Sequence, residues 1–361
     1  MSSRAPVHEP ERWSNRRYSL LSRIEVLARK VGLQEFVEEG DLVAVKVHFG
    51  DRGTTRMLRS IYVRRMVELV REAGGKPFVT ETTGLGMLHP RSTAIGRLET
   101  ARDNGYTQET LGAPIVIADG LRGFEYVVQD GVEVASAIAE ADKLLVLSHL
   151  TGHFSSGFGG AIKHLGLGCV AKPAKFRVHI EGMPEIEARK CTGCGRCAEV
   201  CPSGAISPPE IDGERCVMCA GCGEACAHGA VKMEWLMGRE MCRRVAASAS
   251  AVVRAVGREN VLFFSFLLEV TPHCDCCAFS DNPIVPDIGV LASRDAVAVD
   301  AAALELIRAS PGLPASMLPE SARGAGAEKF EHLFQRDARV QIEEAERLGV
   351  GAAEFSVLEV G

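Results

Sequence analysis

Apolar residues alternate along this chain between two rhythms. Short stretches such as residues 41–49 (DLVAVKVHF), 76–83 (KPFVTETT), 114–119 (PIVIAD) and 143–150 (KLLVLSHL) are β-rich and nearly continuous. Such runs suit strands covered on both faces. Between them, residues 57–75 (MLRSIYVRRMVELVREAGG) repeat apolar positions at helical spacing and end in a glycine stop. Residues 132–142 (VEVASAIAEAD) predict a short helix, and 160–168 (GAIKHLGLG) start another. Further on come a helix at about 239–256, strands at 261–270 (VLFFSFLLEV) and 287–293 (DIGVLAS), and a helix at 296–310. Strands separated by helices predict an α/β fold: a mainly parallel sheet with flanking helices. The longest apolar run is about ten residues, too short for the ~20 that a membrane span needs.

The rhythm breaks between 183 and 237, where eight of the thirteen cysteines fall. Residues 191–202 read CTGCGRCAEVCP, and 216–227 read CVMCAGCGEACA: the spacing C-x2-C-x2-C-x3-C, made twice. In such a run three thiolates wrap one cubane, and the fourth serves the other cluster. The expected cofactors are therefore two [4Fe–4S] clusters. One takes Cys191, Cys194, Cys197 and Cys226; the other takes Cys216, Cys219, Cys222 and Cys201. Glycines at 193, 195, 221 and 223 allow close backbone approach to sulfide. Pro202 follows the first run, whereas Ala227 stands where a second proline would be. A pair of zinc sites would leave the duplicated fourth cysteine unexplained. The segment resembles the bacterial-type two-cluster ferredoxin module, a small α+β unit, inserted into a discontinuous α/β domain of residues 1–182 and 238–361. Residues 202–213 (PSGAISPPEIDG) form the loop between the two motifs.

The 361 residues are 46% hydrophobic and 24% charged, as expected for a packed globular chain. A net charge of −6 and a pI near 6.0 argue against nucleic acid as partner. The opening residues have no apolar stretch of the export type, so a soluble, cytoplasmic protein is expected, where cysteines signify metal or redox chemistry. No nicotinamide or flavin fingerprint is present, which makes a redox protein the expected electron donor or acceptor.

Three further thiols crowd residues 273–277, HCDCC. In open parallel sheets ligands bind outside the carboxyl ends of the strands. There the strands deliver Lys46 and His48, then Glu81-Thr82-Thr83, Asp119, and Ser148, His149 and His153. HCDCC follows the strand at 261–270. A third metal site on Cys274 and Cys276 with His153 or His149 is expected, since thiolate plus imidazole suits iron, zinc or copper. Buried free thiols are the alternative, and it is the expectation for the isolated Cys169 and Cys242. Residues 155–163 (SSGFGGAIK) offer glycines before a helix and Lys163 as a point charge, a candidate cradle for a small anionic substrate. The turn 50–55 (GDRGTT) is a second candidate. Candidate catalytic residues are Cys274, Asp275, Cys276, Lys163 and His153. His48, His164 and His179 are further candidates by context, His228 either tunes a cluster or sits at the surface, and His8, His89 and His332 receive no role. Asp281, Asp287, Asp295 and Asp300 are expected to cap helices and turns.

The segments KVHFGDRG, GHFSSGFGGAIKHLGLG, the cysteine run and CDCCAFSDNPIVPDIGVLASRDAVAVD, in that order, resemble the iron–sulfur branch of domain-of-unknown-function family 362. The resemblance spans about residues 41–310 and implies an α/β domain carrying a ferredoxin module, with no settled reaction. Two functions follow: a reductase that passes single electrons to a substrate near His273–Cys277, or a non-enzymatic relay between partners. A thiol-rich metal or sulfur carrier is a third.

Overall fold

A computed structural model describes residues 2–6 and 19–360 of the chain. The readings that rest on residues 7–18, His8 without a role among them, lie outside the described residues. Eight strands form the main sheet: β1 (Ser2–Pro6), β2 (Leu42–Lys46), β3 (Lys76–Glu81), β4 (Ile115–Ile117), β5 (Lys143–His149), β6 (Val261–Leu267), β7 (Gly289–Ser293) and β8 (Val357–Glu359). Their order is β8-β1-β7-β6-β5-β2-β3-β4. β6, β5, β2, β3 and β4 are mutually parallel neighbours, whereas β7 runs antiparallel to β6 and β1. The mainly parallel α/β fold is thus as expected, and all five parallel strands end on one rim.

Continuous apolar strands serve both faces at once. Leu144 and Val146 of β5 and Phe263 of β6 face one core, with helices Ala161–Gly166, Arg239–Val256 and Ala296–Ala309. Leu145, Leu147, Leu262 and Phe264 face the other, with helices Leu20–Val31 and Ser60–Glu72. Each fully buried side chain of this size contributes ~1.5–3 kcal/mol. Among the described residues no helix is long and apolar enough to cross a membrane.

One expected helix is half wrong. Val132–Ala135 is a strand paired with Tyr126–Gln129, and only Ser136–Ala139 turns helical. The cause is Asp130-Gly131, both at positive φ (51° and 76°), which closes a two-residue hairpin turn. The Val–Glu–Val alternation after it then continues as strand.

Residues 180–235 leave the main sheet as a unit with its own pairing. Ile180–Ile186 runs antiparallel to Val231–Trp235, and between them lie a small hairpin and two short helices, Arg196–Glu199 and Gly221–Ala225.

Candidate functional site

The rim of the sheet is built from charged groups that strand alternation would hide in the core were they not paired. Glu81, at the end of β3, receives Lys46 Nζ at 2.9 Å and Arg97 at 2.7 Å, and its Oε2 lies 2.8 Å from His48 Nδ1, which Arg97 Nη2 also reaches at 2.8 Å. Burial alone would raise the Glu81 carboxyl, but Lys46, Arg97 and His48 hold it well below the usual range. Next to it, Asp119 accepts from the Thr83 amide and hydroxyl, both at 2.8 Å. Lys175 donates to Thr82 Oγ1 at 2.8 Å and to the Val170 carbonyl at 2.7 Å. Arg97 and Lys175 escaped the sequence reading. Each is a basic residue on a helix, a pattern that ordinarily signals a solvated face.

HCDCC lies in the loop after β6, and the structure separates its members. The backbone amide of Asp51 donates to the Asp275 carbonyl at 2.9 Å, which ties the loop to the turn 50–55. A side chain at Gly53 would meet the Ala278 carbonyl at 2.4 Å, so that turn is a packing contact rather than an anion cradle. His149 donates from Nδ1 to Asp275 at 2.9 Å and from Nε2 to the Leu268 carbonyl at 2.8 Å. Burial would lower it, yet the Asp275 carboxylate raises it to about 9, an imidazolium. With both nitrogens engaged, His149 has no lone pair for a metal, and the expectation that it could replace His153 is corrected. His273 turns to the rings of Phe279 and Phe334.

His153, Cys274 and Cys276 do come together. Their ligand atoms all lie within 4.8 Å of one another, a group that can hold a metal ion. Lys163 Nζ donates to Cys274 Sγ at 3.3 Å, and the Cys276 amide donates to the same sulfur at 3.4 Å. The Cys276 thiol and burial push the Cys274 thiol up to about 12. Burial and then the Lys163 charge push His153 well below its ordinary value. Burial, with Lys46 next, does the same to His164, whose buried Nδ1 has no hydrogen-bond partner. His179 donates from Nδ1 to the Lys175 carbonyl at 2.8 Å and is lowered by burial to about 4.

The loop 155–163 is not a free anion cradle. Asp300 accepts from the amides of Ala161 and Ile162 at 2.8 and 2.9 Å, which fills the helix start. Asp295 likewise caps its own helix through Val297 and Ala298. Cys169 and Cys242 are core thiols, each raised by burial to about 12.

The eight remaining cysteines form two groups. Cys191, Cys194, Cys197 and Cys226 line one small cavity with His228 and Pro208. Burial raises the Cys197 thiol, and Cys191 and Cys226 are its neighbours. Burial likewise raises Cys219, whose neighbours include Cys201 and Cys216, and Cys222, which lies beside Cys219 and Cys216. Cys226 thus lies with Cys191, Cys194 and Cys197, and Cys201 lies near Cys216 and Cys219. Amides point at both: Ala205 N–H to Cys201 Sγ at 3.3 Å and Ala230 N–H to Cys226 Sγ at 3.2 Å. The two loops share their turns. Gly193 and Gly195 (φ 69° and 77°) correspond to Met218 and Ala220 (52° and 66°). Non-glycine residues in that region cost on the order of 1–2 kcal/mol each, so the second loop holds a shape its residues resist. Gly221 and Gly223, by contrast, lie within helix Gly221–Ala225. Thiolate quartets met by amide donors fit soft metals and iron–sulfur clusters.

Between the cysteine segment and the rim opens a cleft of about 1160 Å³. Lys163, His153, Cys274 and Cys276 line it from the sheet side; Ala220, Gly223 and Val231–Met237 line it from the other. Ala220 and Gly223, which directly follow Cys219 and Cys222 in the chain, thus form part of one wall. The rim loop holds this wall in place: the Gly86 amide donates to the Cys219 carbonyl at 2.8 Å, and the Met87 and Leu88 amides donate to the Glu224 carboxylate at 2.6 and 2.9 Å. Phe154, Trp235 and Met237 are about half exposed at the mouth.

These features define a cysteine-rich, mainly parallel α/β protein with a candidate metal group at the sheet rim. The chain belongs to the family described as Domain of unknown function (DUF362), which matches residues 43–305. It is 30% identical over 173 residues to a thylakoid-associated protein of Synechocystis, a match covering 45% of this chain and 50% of that protein. The chain therefore spans about half the length of that curated relative. Among solved structures it is similar to the lactate racemase apoprotein from Thermoanaerobacterium thermosaccharolyticum (13% identity, TM-score 0.34, 74% of this chain and 50% of that one). A Thermotoga maritima protein matches at 10% identity and TM-score 0.37, over 91% of this chain and 59% of that one.

Proposed function

We propose that this chain is a cytoplasmic iron–sulfur redox protein that reduces a small anionic substrate in the cleft. Cys191, Cys194, Cys197 and Cys226 would hold one [4Fe–4S] cluster, and Cys216, Cys219, Cys222 and Cys201 the other, supplying single electrons when bound. The observation that carries this reading is the crosswise grouping, with Cys201 beside Cys216 and Cys219 and Cys226 beside Cys197. Exposure of Cys194 leaves the outer quartet open to a redox protein partner. The inner quartet backs onto the cleft, where Lys163 and the paired cations of the rim favour an anion. Asp275, held by His149, keeps the HCDCC loop in place.

Anaerobic purification tests this directly. The expected protein is brown and carries about eight irons and eight sulfides per chain; a colourless one would overturn the reading. A Cys274→Ser/Cys276→Ser double variant should keep that iron. An electron relay would retain full transfer between partners in this variant, whereas a reductase loses turnover.

A further inference from the structure

We infer that His153, Cys274 and Cys276 bind a single thiophilic divalent ion, zinc or ferrous iron, with its fourth position open to the cleft. This goes beyond the iron–sulfur reading and does not depend on it. Three ligand atoms within 4.8 Å of one another are near the ~3.8 Å separation set by two 2.3 Å bonds at a tetrahedral angle. Small side-chain rotations close the difference. Two thiolates and one imidazole are a soft, nitrogen–sulfur set that selects zinc or iron over magnesium or calcium. Three protein ligands with one position free are the pattern of catalytic rather than structural sites.

The surroundings hold these donors in place. Lys163 and the Cys276 amide both donate to Cys274 Sγ, which orients the thiolate and offsets its charge. The His149–Asp275 pair and the Asp51 amide fix the residue between the two cysteines. His153 Nδ1 lies 2.9 Å from Ser156 Oγ, whose hydroxyl reaches the Phe158 carbonyl at 2.9 Å. With the Oγ proton on that carbonyl, Oγ accepts from Nδ1–H and leaves the Nε2 lone pair for the metal. The opposite tautomer has Nδ1 accepting from the Ser156 amide at 3.1 Å and the proton on Nε2. Metal binding selects between the two. All three donors and Lys163 line the cleft, so a ligand entering it meets the open position with an ammonium beside it. A small molecule bearing an oxyanion suits that pair: one oxygen on the metal, its charge against Lys163.

The test uses the full chain, purified anaerobically and loaded with one equivalent of zinc, whose X-ray absorption edge is separate from that of iron. The expected shell is two sulfurs at about 2.3 Å, one imidazole nitrogen at about 2.0–2.1 Å and one further light atom. Cys276→Ser and His153→Ala should each weaken zinc binding at least tenfold, with circular dichroism and inorganic sulfide content unchanged. A shell of four sulfurs, as zinc misplaced in the 191–226 loops would give, overturns the inference, and so does unaltered affinity in both variants. Iron and sulfide measured on the same sample judge the cluster reading separately. The expected zinc shell in a sample lacking iron supports this site while counting against the clusters.

Discussion

Glu81 carries more of the rim than any other side chain, because Lys46, Arg97 and His48 converge on its two oxygens. Glu81→Gln leaves Lys46 and Arg97 buried without a counter-charge and should cost about 3–5 kcal/mol, read as a lowered denaturation midpoint. Its pH dependence has a definite sign. The folded carboxyl is depressed below its ordinary value of 4.5, so its stabilisation is complete above that pH and is lost as the pH falls further. Wild-type stability should drop below about pH 4.5 more steeply than that of Glu81→Gln. Asp300→Ala, which strands the Ala161 and Ile162 amides, should cost on the order of 1–3 kcal/mol in the same assay. At this scale the sequence was partly legible. Strand ends named His48, Glu81, Asp119 and His153 as neighbours, since five parallel strands must finish on one rim. It could not choose His153 over His149, because the choice is made by Asp275 and the Leu268 carbonyl, which only the folded loop brings to His149.

The two cysteine loops are the elements most fully written in the sequence. Spacing alone implies crosswise sharing, and the two loops have matching left-handed turns even where Met218 and Ala220 replace glycine. Cys201→Ser should therefore disturb the site built by the second run, and Cys226→Ser the site built by the first. Iron analysis should show each variant losing about half its iron, and electron paramagnetic resonance should show that the two lose different halves. The hairpin at 126–135 was missed because alanines after 134 mimic a helix, while the local Asp130-Gly131 turn decides otherwise. Gly131→Val should weaken the protein by about 1–2 kcal/mol in thermal unfolding, since a β-branched residue resists positive φ.

For the whole molecule, the decisive feature is the cleft between the cysteine segment and the rim, which no stretch of sequence announces. It depends on contacts between distant positions, such as the Glu224 carboxylate capping the amides of Met87 and Leu88. Glu224→Ala should loosen that wall, seen as faster hydrogen exchange at 86–88 and 219–225 with the main sheet unchanged. On the proposed reading, the exposed Cys194 would face the redox partner, while Ala220 and Gly223 of the second run line the cleft. Electron paramagnetic resonance of the anaerobically reduced chain tests this account most directly. It predicts the broadened spectrum of two magnetically interacting [4Fe–4S] clusters, which collapses in Cys201→Ser to the sharp signal of a single one. A wild-type sample with no such signal, or a Cys201→Ser variant that keeps the interacting pair, would contradict it.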